Sequence, residues 1–312
     1  MPWQFDSHAH RIAVPSPTVT GLDFTNDGHL LAVSHLAEDP GDASPCVSVL
    51  RTEDGALVGT FGAGSGRGVV FAQGEDAILH IVQSPEGVVR LERAPLDGAA
   101  PRVLATYGGR ENVQRIRRSG DHSMFAVLGS GAEVWRSDQA EVVRFREGDT
   151  PGRPVHACFD ASGAHLYLLG LEDGVVVGIS VATNQEFGRW QAPKSHGPHV
   201  EVSGDERYLV VAGKSGSGLY IHDLMQGSRY DGEEYNELSY AEPLIFTHDS
   251  SAMVAFALEM ELRPMDGSAP VSGPELPRGN ITAQVSAWRA PVVACAAAST
   301  VTWARLVAGE PS

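Results

Sequence analysis

Residues 22–33 read LDFTNDGHLLAV, and this segment, in which two short apolar runs flank a polar turn, decides the fold. Residues 158–169 repeat the pattern as CFDASGAHLYLL. Short runs rich in β-branched and aromatic residues, separated by Asp, Gly and Ser, are typical of paired strands joined by tight turns. The segment therefore predicts a two-stranded antiparallel unit that recurs along the chain.

Seven copies of this unit follow one another in the sequence. The first apolar residue of each second strand is Leu30, Ile78, Met124, Leu166, Leu209, Met253 or Val292. These positions lie 48, 46, 42, 43, 44 and 39 residues apart. A period near 40–45 residues with short strands is typical of β-propeller blades. A third strand, and usually a fourth, follows each copy, so we predict an all-β, seven-bladed propeller of four-stranded antiparallel blades.

The two ends of the chain predict how the ring closes. The seventh unit has a third strand from Thr300 to Leu306, and a spare strand stands near the N-terminus, within residues 3–14. Pairing the two removes the open sheet edges that an unclosed ring would expose. We therefore expect residues 1–312 to form a single propeller domain in which the N-terminal strand completes blade 7.

Composition excludes several classes of protein. The chain has 312 residues, a net charge of −16 and 42% hydrophobic residues, so we expect neither a disordered chain nor a nucleic-acid binder. The N-terminus shows no secretory signal and no apolar run is long enough to span a membrane, which predicts a cytoplasmic protein without membrane association. Three widely spaced cysteines predict buried, reduced thiols, and we expect a monomer without cofactors.

The repeats resemble those of bacterial WD40-like and YVTN-type β-propellers over about 300 residues. The nearest matches to the WD40 pattern are Phe24-Thr25-Asn26-Asp27-Gly28 and Phe159-Asp160-Ala161-Ser162-Gly163. The Trp-Asp ending of the third strand is absent. The resemblance implies a rigid disc with a central channel, which such proteins usually use to bind partners.

The inner strands predict a polar cluster near one rim of that channel. Aligning them by their apolar ends places Gly21, Gly68, Gln114, His156, His199, Pro243 and Thr282 in one register. His156 and His199 are then neighbours, with Glu201 and Arg115 close by. Such a group could bind an anion or perform acid–base chemistry, or it could be an ordinary hydrated channel lining.

A second candidate surface is the acidic, tyrosine-rich segment at residues 230–242. Tyrosines supply contact area at low entropic cost and acidic groups steer a basic partner, so we expect a docking surface for a basic protein there. Its candidate binding residues are Tyr230, Glu233, Glu234, Tyr235 and Tyr240. The alternative is a loop whose tyrosines pack on the disc.

Asp6, His8 and His10 have the spacing of the metal-binding opening of amidohydrolases, but the chain shows no alternation of strands and helices. We therefore interpret this stretch as part of the closing strand and predict no metal. The sequence also lacks catalytic motifs for a nucleophilic serine, a zinc protease or a phosphate-binding loop. We expect a non-enzymatic interaction or scaffold propeller that binds a protein partner through its loops and channel rim. The alternative is a small-molecule lyase or hydrolase that uses His156, His199, Glu201 and Arg115.

Overall fold

The computed structural model is a ring of seven antiparallel sheets, as the repeats predict. It describes residues 3–6, 9–14, 18–37, 39, 42–108, 113, 115–138, 142–144, 154–170, 174–191, 199–212, 219–231, 242–247, 249–256, 259–265, 269–276, 281–287, 289–297 and 299–308. Within these residues the secondary structure is strand and turn, and there is no helix with the length and hydropathy needed to cross a bilayer.

Six blades consist of four strands each, and the seventh has five because two short N-terminal strands share its outer edge. Blades 1 and 2 contain β3 (Val19–Phe24), β4 (Leu30–His35), β5 (Pro45–Arg51), β6 (Leu57–Ala63), β7 (Ser65–Phe71), β8 (Ala77–Gln83), β9 (Val89–Pro95) and β10 (Arg102–Tyr107). Blades 3 and 4 contain β11 (Arg115–Arg118), β12 (Met124–Leu128), β13 (Ala132–Arg136), β14 (Val142–Arg144), β15 (Pro154–Phe159), β16 (His165–Gly170), β17 (Val175–Ser180) and β18 (Gln185–Gln191).

The remaining blades continue this order. Blades 5 and 6 contain β19 (His199–Val202), β20 (Tyr208–Ala212), β21 (Leu219–Asp223), β22 (Ser228–Asp231), β23 (Glu242–Phe246), β24 (Ala252–Phe256), β25 (Glu259–Pro264) and β26 (Val271–Glu275). Blade 7 contains β27 (Ile281–Ser286), β28 (Val292–Ala297) and β29 (Thr300–Ala308), with β1 (Trp3–Phe5) and β2 (His10–Ala13) at its outer edge.

The N-terminal strands close the ring, as predicted. Both β1 and β2 pair antiparallel with β29, β2 beside residues 300–303 and β1 beside residues 306–308. The His10 ring stacks on the Trp303 ring with centroids 5.2 Å apart. The indole nitrogen of Trp3 donates to Asp249 of blade 6 at 2.9 Å. Blade 7 is therefore built from both ends of the chain.

Apolar side chains pack between neighbouring blades rather than in one central core. Seven clusters of buried residues occupy the seven interfaces between blades, including the one between blades 7 and 1. Gly21 and Gly68 let the inner strands of blades 1 and 2 come close, because a Cβ on Gly21 would lie 2.9 Å from the Gly68 Cα. The three cysteines are free and buried, as predicted.

A recurrent turn connects the first two strands of the blades. In blade 1 the Thr25 hydroxyl donates to Asp27 at 2.7 Å, and the same bond joins Ser119 to Asp121, Ser203 to Asp205 and Thr247 to Asp249. The residue three positions after the hydroxyl has a positive φ, as in Gly28 at 69°. Hydroxyl and carboxylate side chains that bond to nearby groups favour such turns. All these turns lie at the same end of the channel, because they follow the inner strands.

Candidate functional site

One residue from each blade lines the channel at the same level of its inner strand. The residue before the last in each inner strand contributes, which selects Asp23, Val70, Arg117, Cys158, Glu201, Ile245 and Val285. All seven line a cavity of about 130 Å³. A cavity of roughly 150 Å³ can hold a benzene molecule, so this space suits a ligand of only a few heavy atoms.

A buried ion pair joins blades 1 and 3 beside this cavity. Nε of Arg118 in blade 3 donates to both carboxylate oxygens of Asp23 in blade 1, at 2.7 and 2.8 Å. The Phe71 amide of blade 2 donates to the same carboxylate at 2.7 Å. Burial raises the pKa of Asp23, and Arg118 and the Phe71 amide offset part of this rise. The pair therefore connects three blades at the channel wall.

The two predicted histidines meet on the opposite side of the channel. The ring centroids of His156 and His199 are 4.2 Å apart, edge to face, and both side chains are buried. Nε2 of His199 lies 3.6 Å from a Glu201 carboxylate oxygen. The structure thus brings His156, His199 and Glu201 of the enzyme alternative into contact, and its fourth residue, Arg115, is close enough for its charge to act on both histidines.

The hydrogen bonds of the histidines define their protonation. An Arg117 guanidinium nitrogen lies 3.2 Å from Nε2 of His156. Because a guanidinium only donates, Nε2 accepts and the proton is on Nδ1. The Gln284 amide nitrogen lies 3.2 Å from Nδ1 of His199, which leaves the His199 proton on Nε2, towards Glu201.

Burial governs the pKa of each ionisable group here. It lowers the pKa of His156 well below 6.5, and His199 and Arg117 add to the effect. Burial also lowers the pKa of His199, which Glu201 partly restores. It lowers the pKa of Arg117, which the charges of Glu201 and Asp23 partly restore. Both imidazoles are therefore neutral at pH 7, and neutral imidazole is a base and a metal ligand.

The arginine in hydrogen-bond contact with His156 is Arg117, and Arg115 lies nearer the channel entrance, where its charge still lowers the pKa of both histidines. Arg115 is the first residue of β11 and is exposed at the channel entrance opposite the recurrent turns. Arg117 lies two residues further along β11, on the same face of the strand as Arg115, and contacts His156. Arg115, Arg117 and Arg118 lie close together in the sequence, and because alternate residues of a strand share a face, the pattern places Arg115 and Arg117 on the same side of β11.

The predicted register is wrong by one residue in two blades. Arg118 pairs with Phe125 and Ser286 with Val293, as Phe159 pairs with Leu166. The position equivalent to His156 is therefore held by Arg115 in blade 3, not Gln114, and by Ala283 in blade 7, not Thr282. The alignment slipped because Arg118 and Ser286 stand where other inner strands end in apolar residues.

The predicted docking residues mostly lie outside the described residues. The backbone of Tyr230 is part of β22, opposite Ile221. Glu233, Glu234, Tyr235 and Tyr240 are not described. The two ends of this segment, Asp231 and Glu242, lie on the face opposite the recurrent turns, because they end an outer strand and begin an inner one.

The Asp6-to-His10 stretch belongs to the closing region. The Asp6 amide bonds to the Arg305 carbonyl at 2.8 Å, and His10 stacks on Trp303. His8 lies outside the described residues. Asp6 and His10 thus serve ring closure in the structure.

No protein-family model matches the chain, and no curated protein matches it.

Proposed function

We propose that the protein is a bacterial, WD40-like interaction propeller that acts as a cytoplasmic monomer and binds a basic protein partner without catalysing a reaction. The observation that carries this proposal is the charge of one face of the disc, the face formed by the recurrent turns, which we call the turn face.

Exposed carboxylates are spread around the turn face. They belong to turns of four blades and comprise Asp27, Asp76, Asp205, Glu206 and Asp249. Among the described turn residues the cationic side chains are Arg207 and Arg289, and Arg207 is paired with Asp223. In a chain with a net charge of −16, this ring supplies a negative field that would steer a basic partner.

The bonding inside the channel favours binding over catalysis. Arg118 is satisfied by Asp23, Arg117 reaches His156, and His199 reaches Gln284. These contacts connect polar groups from five blades. Hydrogen bonds between side chains of different blades hold the blades together, and this supports a scaffold role.

The direct test is affinity purification from the native host followed by mass spectrometry. A triple variant, Asp27→Asn, Asp205→Asn and Asp249→Asn, removes three charges from the turn face while keeping an acceptor oxygen in each turn. The matched control, Asp39→Asn, Asp42→Asn and Glu86→Gln, removes three charges from the opposite face. We expect the first variant to lose a basic partner that the control retains. A partner list unchanged by the first variant would overturn the proposal.

The tyrosine-rich segment is tested separately because its two described ends, Asp231 and Glu242, lie on the face opposite the turn face. Replacing Glu233, Glu234 and Tyr235 by Ala should weaken partner capture if that segment also docks. An unchanged partner list would remove it as a binding surface and leave the turn face untouched.

A small-molecule enzyme remains the second candidate, favoured by the convergence of His156, His199 and Glu201. A neutral histidine beside a carboxylate can move a proton, and Arg117 can hold an anionic group. Native mass spectrometry of the protein isolated from its host tests this. A bound species of a few heavy atoms, lost in both Arg117→Met and Glu201→Gln, would support a lyase or hydrolase site. A wild-type protein without such a species would count against it.

A further inference from the structure

The recurrent turn is altered in blade 4. The other hydroxyl-containing turns place Thr or Ser first and Asp two residues later, so the carboxylate is at the surface. Blade 4 reverses this order with Asp160 first and Ser162 second. The reversal puts the carboxylate in the buried position, and Asp160 is only 1% exposed. The turn itself does not need a carboxylate there, because a hydroxyl serves in four other blades.

One oxygen of this buried carboxylate has no hydrogen-bond partner. Oδ2 of Asp160 accepts from Nδ1 of His165 at 2.7 Å and from the Ser162 hydroxyl at 3.3 Å. Oδ1 is buried and unpaired. A buried polar atom without a partner is costly, and a carboxylate oxygen more so, which points to a ligand at this position.

His165 is also specific to blade 4. In each blade, one residue of the second strand pairs with the last residue of the inner strand, and the equivalent of His165 immediately precedes it. In the other six blades this position holds an uncharged side chain: Leu30, Ala77, Met124, Tyr208, Ala252 and Val292. His165 is half-buried, and its ring packs against Phe187 with centroids 4.7 Å apart. This packing holds the imidazole beside Asp160.

Blade 5 supplies a third group. Glu206 occupies the positive-φ position of its turn, at 59°. Side chains at this position point to the preceding blade: a Cβ on Gly163 would meet Ser119 of blade 3, and Glu75 accepts a hydrogen bond from Asn26 of blade 1. Glu206 thus faces blade 4. Partial burial and then the Asp160 charge raise its pKa.

We propose that Asp160, His165 and Glu206 bind one divalent transition-metal ion, with Zn²⁺ the best match to the donor set. One ligand atom from each residue lies within 4.8 Å of the others. Bonds of about 2.0–2.2 Å to zinc put tetrahedral ligand atoms roughly 3.3 Å apart. The three ligand atoms would therefore move closer together on binding, and the exposed side chain of Glu206 can make this movement. Two carboxylates and an imidazole match zinc better than magnesium or calcium, which prefer oxygen ligands alone.

This site departs from the expectation of a metal-free protein and is independent of partner binding. The ion would neutralise the two carboxylates and join blade 4 to blade 5 at the turn face. Three protein ligands would leave a fourth position for water or for a donor from another molecule.

The test uses the full chain without an affinity tag, stripped with a chelator and titrated with ZnCl₂ or MgCl₂ by calorimetry. We expect one Zn²⁺ per chain, no measurable heat with Mg²⁺, and a thermal unfolding midpoint that rises with Zn²⁺. Glu206→Gln is the decisive variant because Glu206 is exposed and its replacement should not unfold the protein. Glu206→Gln and His165→Gln should each weaken Zn²⁺ binding at least about tenfold.

Asp249→Asn, in the equivalent turn of blade 6, is the matched control and should leave the affinity within about twofold. Failure of the wild-type protein to bind Zn²⁺ at 100 μM, the concentration to be used, would overturn the proposal. Zn²⁺ binding that survives both Glu206→Gln and His165→Gln, or is lost in only one of them, would also overturn the three-ligand site.

Discussion

Nε of Arg118 in blade 3 donates to both carboxylate oxygens of Asp23 in blade 1, which lie within 2.8 Å of it. The two residues are 95 positions apart in the sequence, and a whole blade lies between them in the chain. Both side chains are less than a tenth exposed. The contact therefore ties together strands that share no backbone hydrogen bonds.

Removing the guanidinium should destabilise the protein strongly. Arg118→Met leaves a buried carboxylate unpaired, which costs about 3–5 kcal/mol. Urea unfolding followed by tryptophan fluorescence measures this change. The matched control is Arg93→Met, which breaks an Arg93–Asp76 pair whose carboxylate side chain is 68% exposed. That variant should lose less than about 1 kcal/mol. Equal losses of unfolding free energy in the two variants would contradict a structural role for the Arg118–Asp23 pair.

The free energy of unfolding should decrease as the pH is lowered, because of the buried histidine His80. Its side chain is fully buried, and burial lowers its pKa to about 4. The unfolded chain protonates this histidine near pH 6.5, so the unfolded state binds more protons between about pH 4 and 6.5. The contribution of His80 is complete above that window and is lost as the pH falls through it. It amounts to about 3 kcal/mol.

The His80→Met variant isolates this effect because methionine has a similar volume and does not titrate. Urea midpoints measured from pH 7.5 to 4.5 should fall less steeply for His80→Met than for the wild-type protein. Val103→Met, at an exposed position and without a titratable group, should keep the wild-type slope. A His80→Met slope equal to the wild-type slope would show that His80 does not titrate on unfolding.

The three thiols should be inert in the folded protein. Burial raises the pKa of Cys46 and of Cys295 to about 12, and raises that of Cys158 well above 9. The thiolate is the reactive form, so a disulfide reagent at pH 8 should modify none of them rapidly. After denaturation in guanidinium chloride, all three should react. Rapid labelling of any thiol in the folded protein would contradict the packing described for the blades.

The sequence predicted the blade number and the closing strand because both follow from periodicity. Turns such as that at residues 25–28 recur at nearly constant spacing, and edge pairing leaves few ways to complete blade 7. The exact strand register was harder to predict. Arg118 ends an inner strand where the pattern requires an apolar residue, so the alignment moved by one position and selected Gln114.

Strand register also limited what the sequence could predict about the candidate sites. His156 and His199 could be brought together by aligning the strands, because they occupy equivalent positions in neighbouring blades. Arg117 was not assigned to the histidine pair because the predicted register of β11 was displaced by one residue. The proposed Zn²⁺ site combines Asp160 and His165 of blade 4 with Glu206 of blade 5, and the two acidic residues occupy different positions in their turns. Comparing the turns with one another would have revealed the reversed order at Asp160 and Ser162.

The account depends most on closure of the ring by the N-terminal strands, and a designed disulfide tests this directly. Gln4 of β1 lies opposite Val307 of β29, and both side chains are exposed. Directly paired strand residues have Cα atoms about 4.5–5.5 Å apart, within the range a disulfide needs. The control pairs Gln4→Cys with Val103→Cys, which is exposed on the outer strand of blade 2.

Non-reducing electrophoresis and peptide mass spectrometry after mild oxidation of the folded protein give the answer. The account predicts a near-complete intramolecular disulfide in the Gln4→Cys/Val307→Cys variant and none in the control. Equal cross-linking in the two variants, or no cross-link between positions 4 and 307, would contradict it.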